Sequence, residues 1–311
     1  MTNQTNSYTP IEIPPEISVF KTEPGQLGVG KSGKVGILQL RLEGDAERKK
    51  TIIREQYCKV PLCIQRAMYL EESLPAMAYV YIVSPSGGIL QGDRYQIDIT
   101  LSNSAIAHIT TQGATRIYKM ERNFGTQMVN IVVEEGSYLE YIPDQIIPFR
   151  NSRFFQPVHL KIHDNATLIY SEMLAPGRVA SGESLEYEIC YIKTMAINQQ
   201  NKLTFTDMVK LEPKKENLRL DGILSKFDVV GTTYIITRVC YVEELKGEIN
   251  SVLDKIEGEI VGGASILPDK KGIIVRLLGT RSAEVRNAIF EIVRASRKRI
   301  LGARFSPIRK A

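Results

Sequence analysis

KVGILQLRLEG, residues 34–44, follows closely on GQLGVGKS at residues 25–32, and its reading decides the fold. The earlier stretch fits the phosphate-binding P-loop pattern: Gly25, four free positions, then Gly30-Lys31-Ser32. A P-loop works where a strand delivers its glycines into the N-terminus of a helix, so that backbone N–H groups wrap the phosphates. Upstream, Ile17-Ser-Val-Phe20 reads as a short strand, but Glu23-Pro24 intervenes before the glycines. Downstream, Val35 and Ile37, then Leu38, Leu40 and Leu42, alternate with small and charged residues. That is the period of a strand. A strand is therefore expected after Lys31, and the pattern reads as a glycine-rich lead-in rather than a nucleotide site. The Asn-Lys pair, Asn201-Lys202, continues Leu-Thr and lacks the aspartate of a guanine-reading NKxD.

The same alternation recurs in Ile97, Ile99, Leu101; in Val129, Ile131, Val133; in Val158, Leu160, Ile162; and in Leu185, Tyr187, Ile189, Tyr191. Turn-like stretches such as SPSGG, RNFG, EEGS, HDNA and APGR punctuate it. Many short strands at this spacing predict a mainly β body with mostly antiparallel neighbours over residues 31–244, after a flexible polar arm at 1–30. Helical period comes late. Ile249, Val252, Leu253 and Ile256 form one stripe in 247–257, and Val285, Ile289, Ile292, Val293 and Ile300 another in 282–300, with Ser282 placed to cap it. Residues 272–278 between them read as a strand. The segment 245–311 is thus predicted to be a small α+β lobe with two helices, packed on the body.

Composition narrows the function classes. Of 311 residues, 43% are hydrophobic and 24% charged, values ordinary for soluble globular proteins. No apolar run approaches the roughly 18 residues of a membrane-spanning helix, and the N-terminus has neither the charge nor the apolar stretch of a secretory signal. A net charge of +5 is a mild excess that does not argue for nucleic acid. Cys58, Cys63, Cys190 and Cys240 are too few and scattered for a disulfide framework, so reduced thiols in the cytoplasm are expected.

Catalytic and metal motifs are sparse. His159 and His163 are four apart, but on a strand that spacing separates them by about 13 Å, too far to share one metal. Cys58 and Cys63 can meet across a turn, yet no second pair follows at zinc-finger spacing. With His108, the chain has three histidines and no GxSxG elbow. Glu140, Asp144, Glu172, Glu183 and Asp207 lie in or beside apolar strands; most such carboxylates face solvent, and a buried one would be informative.

A different set of stretches carries more. Pro85-Ser-Gly-Gly88-Ile-Leu-Gln-Gly92-Asp93 follows the strand-like MAYVYIVS and resembles the PPGGxxGGD segment of the urease accessory protein UreD (UreH) family. Residues 110–119, TTQGATRIYK, resemble its TTQAATKVYR; Leu139-Glu-Tyr-Ile-Pro143 its LEWLP; Gly177-Arg178 with Gly182-Glu183 its GRxxxGE. Upstream, Val60-Pro-Leu-Cys-Ile-Gln-Arg66 with Tyr69 is similar to GPLxVQRxxY, and downstream Gly262-Gly-Ala-Ser265 and Val275-Arg-Leu-Leu-Gly279 match the closing lobe. Ser86, Gln91 and Gly113 depart from the family pattern, and Asp144-Gln145 stand where it often has Gln-Glu.

The resemblance implies a helically wound, β-rich body with two helices and no catalysis of its own. It implies binding to apo-urease and to a helical UreF-type partner that recruits a nickel-carrying UreG-type GTPase, and transient passage of Ni²⁺ with no tightly bound cofactor. Asp93, Thr115, Glu172 and Asp207 are expected to line a polar route for the metal. Pro85, Gly87, Gly88, Gly92, Gln112, Gly177 and Arg178 are the family-motif positions. No nucleic acid or membrane partner is expected. Two other readings are a P-loop enzyme using residues 25–32 and a β-rich interaction protein with another client.

Overall fold

The computed structural model describes residues 8–9, 11–22 and 33–308. The P-loop-like stretch at 25–32 lies outside the described residues, but the segment that follows is strand from Val35, as the alternation predicts. In chain order the first strands are β1 (Val35–Asp45), β2 (Lys50–Lys59), β3 (Cys63–Ile64), β4 (Ala78–Val83), β5 (Arg94–Ser102) and β6 (Ile106–Thr111). There follow β7 (Thr115–Ile117), β8 (Gly125–Val133), β9 (Tyr138–Tyr141), β10 (Ile146–Pro148), β11 (Arg153–Ile162) and β12 (Thr167–Leu174). The last are β13 (Ile189–Asn198), β14 (Leu203–Leu211), β15 (Val229–Ile236), β16 (Ile260–Ile266) and β17 (Gly272–Gly279). The helices are α1 (Pro15–Ser18), α2 (Val239–Leu253) and α3 (Ser282–Leu301).

From β4 to β13 the chain winds between two sheets, adding a strand to one and then to the other. One sheet has the order β14-β13-β11-β8-β5-β1-β2; the other runs β16-β17-β15-β12-β9-β6-β4-β3. Alternation produces the layers between them. Leu38, Ile97, Val129 and Val158 stand in register across β1, β5, β8 and β11, as do Leu40, Ile99, Ile131 and Leu160, and then Leu42, Leu101, Val133 and Ile162. All twelve are buried in one core. Each such side chain contributes about 1.5–3 kcal/mol, so the layers fix the register of the winding.

The expectation of mostly antiparallel neighbours is corrected. The wound pairs β1–β5, β5–β8, β8–β11, β11–β13, β4–β6, β6–β9 and β9–β12 are all parallel. Antiparallel pairing is confined to the ends: β1–β2, β3–β4, β13–β14 and the β12–β15–β17–β16 extension. Period-two alternation reports which face is buried and not strand direction; here each parallel crossover runs through the opposite sheet.

A second core lies on the outer face of the second sheet, where α2 and α3 cover Ile169, Val229, Ile235, Ile273 and Val275. Helix α3 matches its predicted stripe, with Val285, Ile289, Ile292 and Val293 buried. Ser282 is its first residue rather than its cap; Arg281 holds the cap position and no side chain caps it. Helix α2 starts at Val239 because Val242 and Leu245 extend its buried stripe with Ile249, so residue 245 falls inside it. The strand expected over 185–191 begins only at Ile189, since Leu185 has φ +55°. Residues 17–20, expected as a strand, instead form the end of α1, which Pro15 opens, and the turn after it; proline at the first helical position presets the helical φ. Ile17 there is buried against Phe124, Phe155, Ile189 and Tyr191.

Arg297 clamps α3 to the sheet. Its side chain is fully buried, donating through Nε and Nη2 to Glu140 at 2.8 and 2.5 Å and through Nη1 to Glu71 at 2.7 Å. His108 and Tyr138 complete the cage around the Glu140 carboxylate at 2.7 and 2.8 Å. Burial alone pushes that carboxyl up, but the bonds from Arg297 and His108 outweigh it and hold it at about 2.

Candidate functional site

The two sheets part at one end of the winding, leaving a cavity of about 300 Å³. Its mouth is formed by Ser84, Ser86, Gly87 and Gly88 and by Thr111 to Arg116, with Asp144 and Ile146 beside them. Gly88 sits where a side chain would not fit: an added Cβ would lie 2.4 Å from the Arg116 carbonyl oxygen and 2.8 Å from the Tyr118 ring. The absence of a side chain there lets the two mouth loops close on each other.

The inner wall carries polar residues on the apolar phase of three strands. Gln127 on β8 donates to Gln156 on β11 at 3.0 Å, and Gln156 donates to Glu172 Oε1 on β12 at 2.7 Å. Tyr170 donates to the same oxygen at 2.5 Å. Glu172 is only 5% exposed and lines the cavity. Both bonds fall on Oε1, so among the described residues Oε2 has no protein partner. Burial dominates its chemistry, raising the carboxyl from 4.5 to about 7 against the opposing bonds from Tyr170 and Gln156.

Beyond Glu172 the polar line continues along the sheet. Glu172 stands in register with Thr232 on β15, and Thr232 with Arg276 on β17, so all three share the inner face. Arg276 donates through Nη1 to Thr232 Oγ1 at 2.7 Å and pairs through Nη2 with Asp207 on β14, in the opposite sheet. Tyr234 also donates to Asp207. A row of rings, Tyr141, Tyr170 and Tyr234, runs alongside, with centroids 5.4 and 6.2 Å apart, the first pair stacked and the second tilted. The side chains of Asp207 and Arg276 are 21% and 39% exposed, so this far end opens toward solvent.

Of the residues expected on a polar route, Thr115 and Glu172 line the cavity and Asp207 stands beyond its inner wall. Asp93 is elsewhere: its Oδ1 accepts the backbone N–H groups of Gly33 and Lys34 at 2.9 and 2.8 Å, and Oδ2 that of Leu90 at 2.9 Å. That carboxylate clasps the start of β1 to the Pro85–Gly92 loop, with Gly92 at φ +80° beside it. Gln112 edges the mouth, while Pro85 lies on the exposed outer side of its loop. Arg178 pairs with Glu183 at 3.0 Å and stacks on Phe149 at 4.3 Å, closing a loop in which a Cβ added to Gly177 would lie 2.9 Å from the Glu183 carbonyl oxygen.

The remaining candidates do not converge. His108 belongs to the Glu140 cage, His159 bonds Asn130 at 2.8 Å, and His163 follows β11, so none lines the cavity. Cys58 and Cys63 are free thiols on neighbouring strands, and Cys63 bonds the Val83 carbonyl at 3.4 Å. Among the described residues no group of three His, Cys, Asp or Glu side chains is placed to hold a metal ion. Sequence reasoning missed Gln127, Gln156, Thr232, Tyr234 and Arg276. The signal was present for Gln127 and Gln156: each stands two positions before a buried valine, on the phase that should be apolar.

Comparison with known proteins gives this geometry a family. A family model described as UreD urease accessory protein matches residues 34–310. The chain belongs to that family. A urease accessory protein UreD of Cenarchaeum symbiosum is 44% identical over 286 residues, covering 92% of this chain and 99% of the relative. The urease accessory protein UreD 2 of Brucella suis is 41% identical over 290 residues, with 93% and 95% covered. UreD of Yersinia pseudotuberculosis is 37% identical over 291 residues, with 93% and 89% covered. Membership in the UreD family supports a role in urease maturation. Among the described residues no helix is long and apolar enough to cross a membrane.

Proposed function

We propose that this chain is a non-catalytic maturation factor that docks apo-urease and a helical UreF-type partner, and through the latter a nickel-carrying UreG-type GTPase. In this reading it works in the cytoplasm and passes Ni²⁺, its cargo, toward the urease active site. The observation that carries the proposal is the cavity itself. Among the described residues its wall offers hydroxyls, carboxamides and the carboxylates of Glu172 and Asp144, beside Arg116 and the Met173 thioether, with no histidine or cysteine. Ni²⁺ accepts oxygen ligands but is held more firmly by imidazole and thiolate, so an oxygen-lined path suits transfer rather than storage. The tyrosine row and the Glu172–Thr232–Arg276 register give that path a direction, from the mouth to Asp207.

The test is reconstitution. Urease is co-expressed with its accessory proteins and with this chain as wild type, Glu172→Leu, Asp207→Leu or omitted. Urease nickel is measured by mass spectrometry, and assembly by pull-down of the partners. Omission is expected to leave urease without nickel, and both variants to assemble normally yet load less metal. Normal nickel content without the chain would sink the proposal; normal loading by both variants would remove them from the path.

A further inference from the structure

We infer that Arg276 is a tethered cation that fills the far end of the polar row and must be displaced before a divalent cation can rest on Asp207. The inference rests on the transfer reading just given and adds a residue that sets affinity along it.

Asp207 reaches in from β14 of one sheet, while Arg276, Thr232 and Tyr234 stand on β17 and β15 of the other. Four groups meet there: the Asp207 carboxylate takes the Arg276 Nη2 and the Tyr234 hydroxyl, and Arg276 Nη1 takes Thr232 Oγ1. Without the guanidinium, a carboxylate, a phenol and a hydroxyl would surround one position with oxygen, the ligand type a hard or borderline divalent ion accepts. The chain has placed its own positive charge there. Arg276 lies two strands along the register from Glu172, about 10 Å at ordinary strand spacing. The same guanidinium favours the ionised form of Glu172. An arriving cation therefore meets a charge of its own sign at the end of the row.

Displacement is feasible because the pair is not sealed. Arg276 is 39% exposed, on a long, flexible side chain that can swing to solvent while its backbone stays in the β15–β17 ladder. While Arg276 is seated, Asp207 is unavailable and free ions are kept out. When cargo arrives from Glu172, exchange costs one ion pair and returns one. The arrangement keeps affinity low at both ends of the exchange, which a conduit needs and a storage site does not.

The experiment uses the full chain co-purified with its maturation partner. Ni²⁺ binding is measured by equilibrium dialysis for wild type, Arg276→Met, Arg276→Lys and Arg276→Met with Asp207→Asn. Removing the guanidinium is expected to raise Ni²⁺ affinity roughly tenfold or more, the size of an ordinary coupling between sites. Lysine, which restores a tethered charge, should stay near wild type, and the double variant should lose the gain. Arg276→Gln replaces Arg276→Met if the latter does not fold. Wild-type affinity in the charge-removed variant, or a gain that survives Asp207→Asn, overturns the inference and leaves Arg276 as a bridge between sheets. Dialysis reads the site directly: a gain in affinity alongside normal urease nickel when the chain is omitted would refute the transfer reading alone, and the reverse combination this inference alone.

Discussion

Glu172→Gln is expected to make the fold more stable than wild type at pH 8 and to leave it unchanged near pH 4.5. The wild-type carboxyl is raised from 4.5 to about 7 by burial. Its native state thus binds the proton more tightly than the unfolded chain, a contribution fully present below pH 4.5 and lost as pH climbs through 7. At about 1.4 kcal/mol per tenfold change, the rise amounts to about 3 kcal/mol above pH 7. Water entering the cavity solvates the carboxylate and reduces this, so a difference of about 1–3 kcal/mol is expected. Glutamine keeps the size and the oxygen that accepts from Tyr170 and Gln156, and it has nothing to ionise. The assay is urea unfolding of both chains at pH 4.5 and pH 8, followed by circular dichroism; all other titrating groups cancel in the comparison. A variant no more stable than wild type at pH 8, or equally altered at both pH values, would refute the account of Glu172 as a buried, desolvated acid.

Arg297→Met should cost about 3–5 kcal/mol, because it leaves the Glu140 charge buried without its main partner; adding Glu140→Gln should recover part of the loss in a thermal melt. The same cage holds Glu140 at about 2, so its contribution should persist through neutral pH and fade as pH falls from 4.5 toward 2, readable as acid unfolding that Glu140→Gln blunts. Asp93→Ala strips the acceptor from three backbone N–H groups, and a loss of about 2–3 kcal/mol is expected, measured by urea denaturation. Gly88→Ala places a Cβ 2.4 Å from the Arg116 oxygen and should destabilise by about 1–3 kcal/mol, measured by denaturation; an unchanged midpoint would mean the mouth loops part easily.

Much of the architecture was legible because period-two alternation is a direct report of burial. Ile97, Val129 and Val158 were read as apolar positions of three alternating strands and form one layer. Strand direction was not legible, since the same alternation serves parallel and antiparallel neighbours. Among site residues, Glu172 was readable: a carboxylate in YSEML, on the same phase as Tyr170 and Leu174, is costly unless it has work to do. Asp93 misled, because an aspartate after a glycine turn reads equally as a ligand or as a clasp for backbone N–H groups, and here it is the clasp. Arg276 and Tyr234 were beyond reach. Their importance lies in facing a residue of the other sheet, Asp207, across sequence separations of 69 and 27 residues, which no local pattern encodes.

The register that links Glu172, Thr232 and Arg276 acts as a ruler. Neighbouring strands lie about 4.8 Å apart because backbone hydrogen bonds demand it, whatever side chains they carry. In the proposed transfer, substitution along the row can change what kind of atom an ion meets at each step, but not the length of the step. Only gain or loss of a whole strand would alter the number of steps, so a longer or shorter row calls for a change in the antiparallel extension of the second sheet.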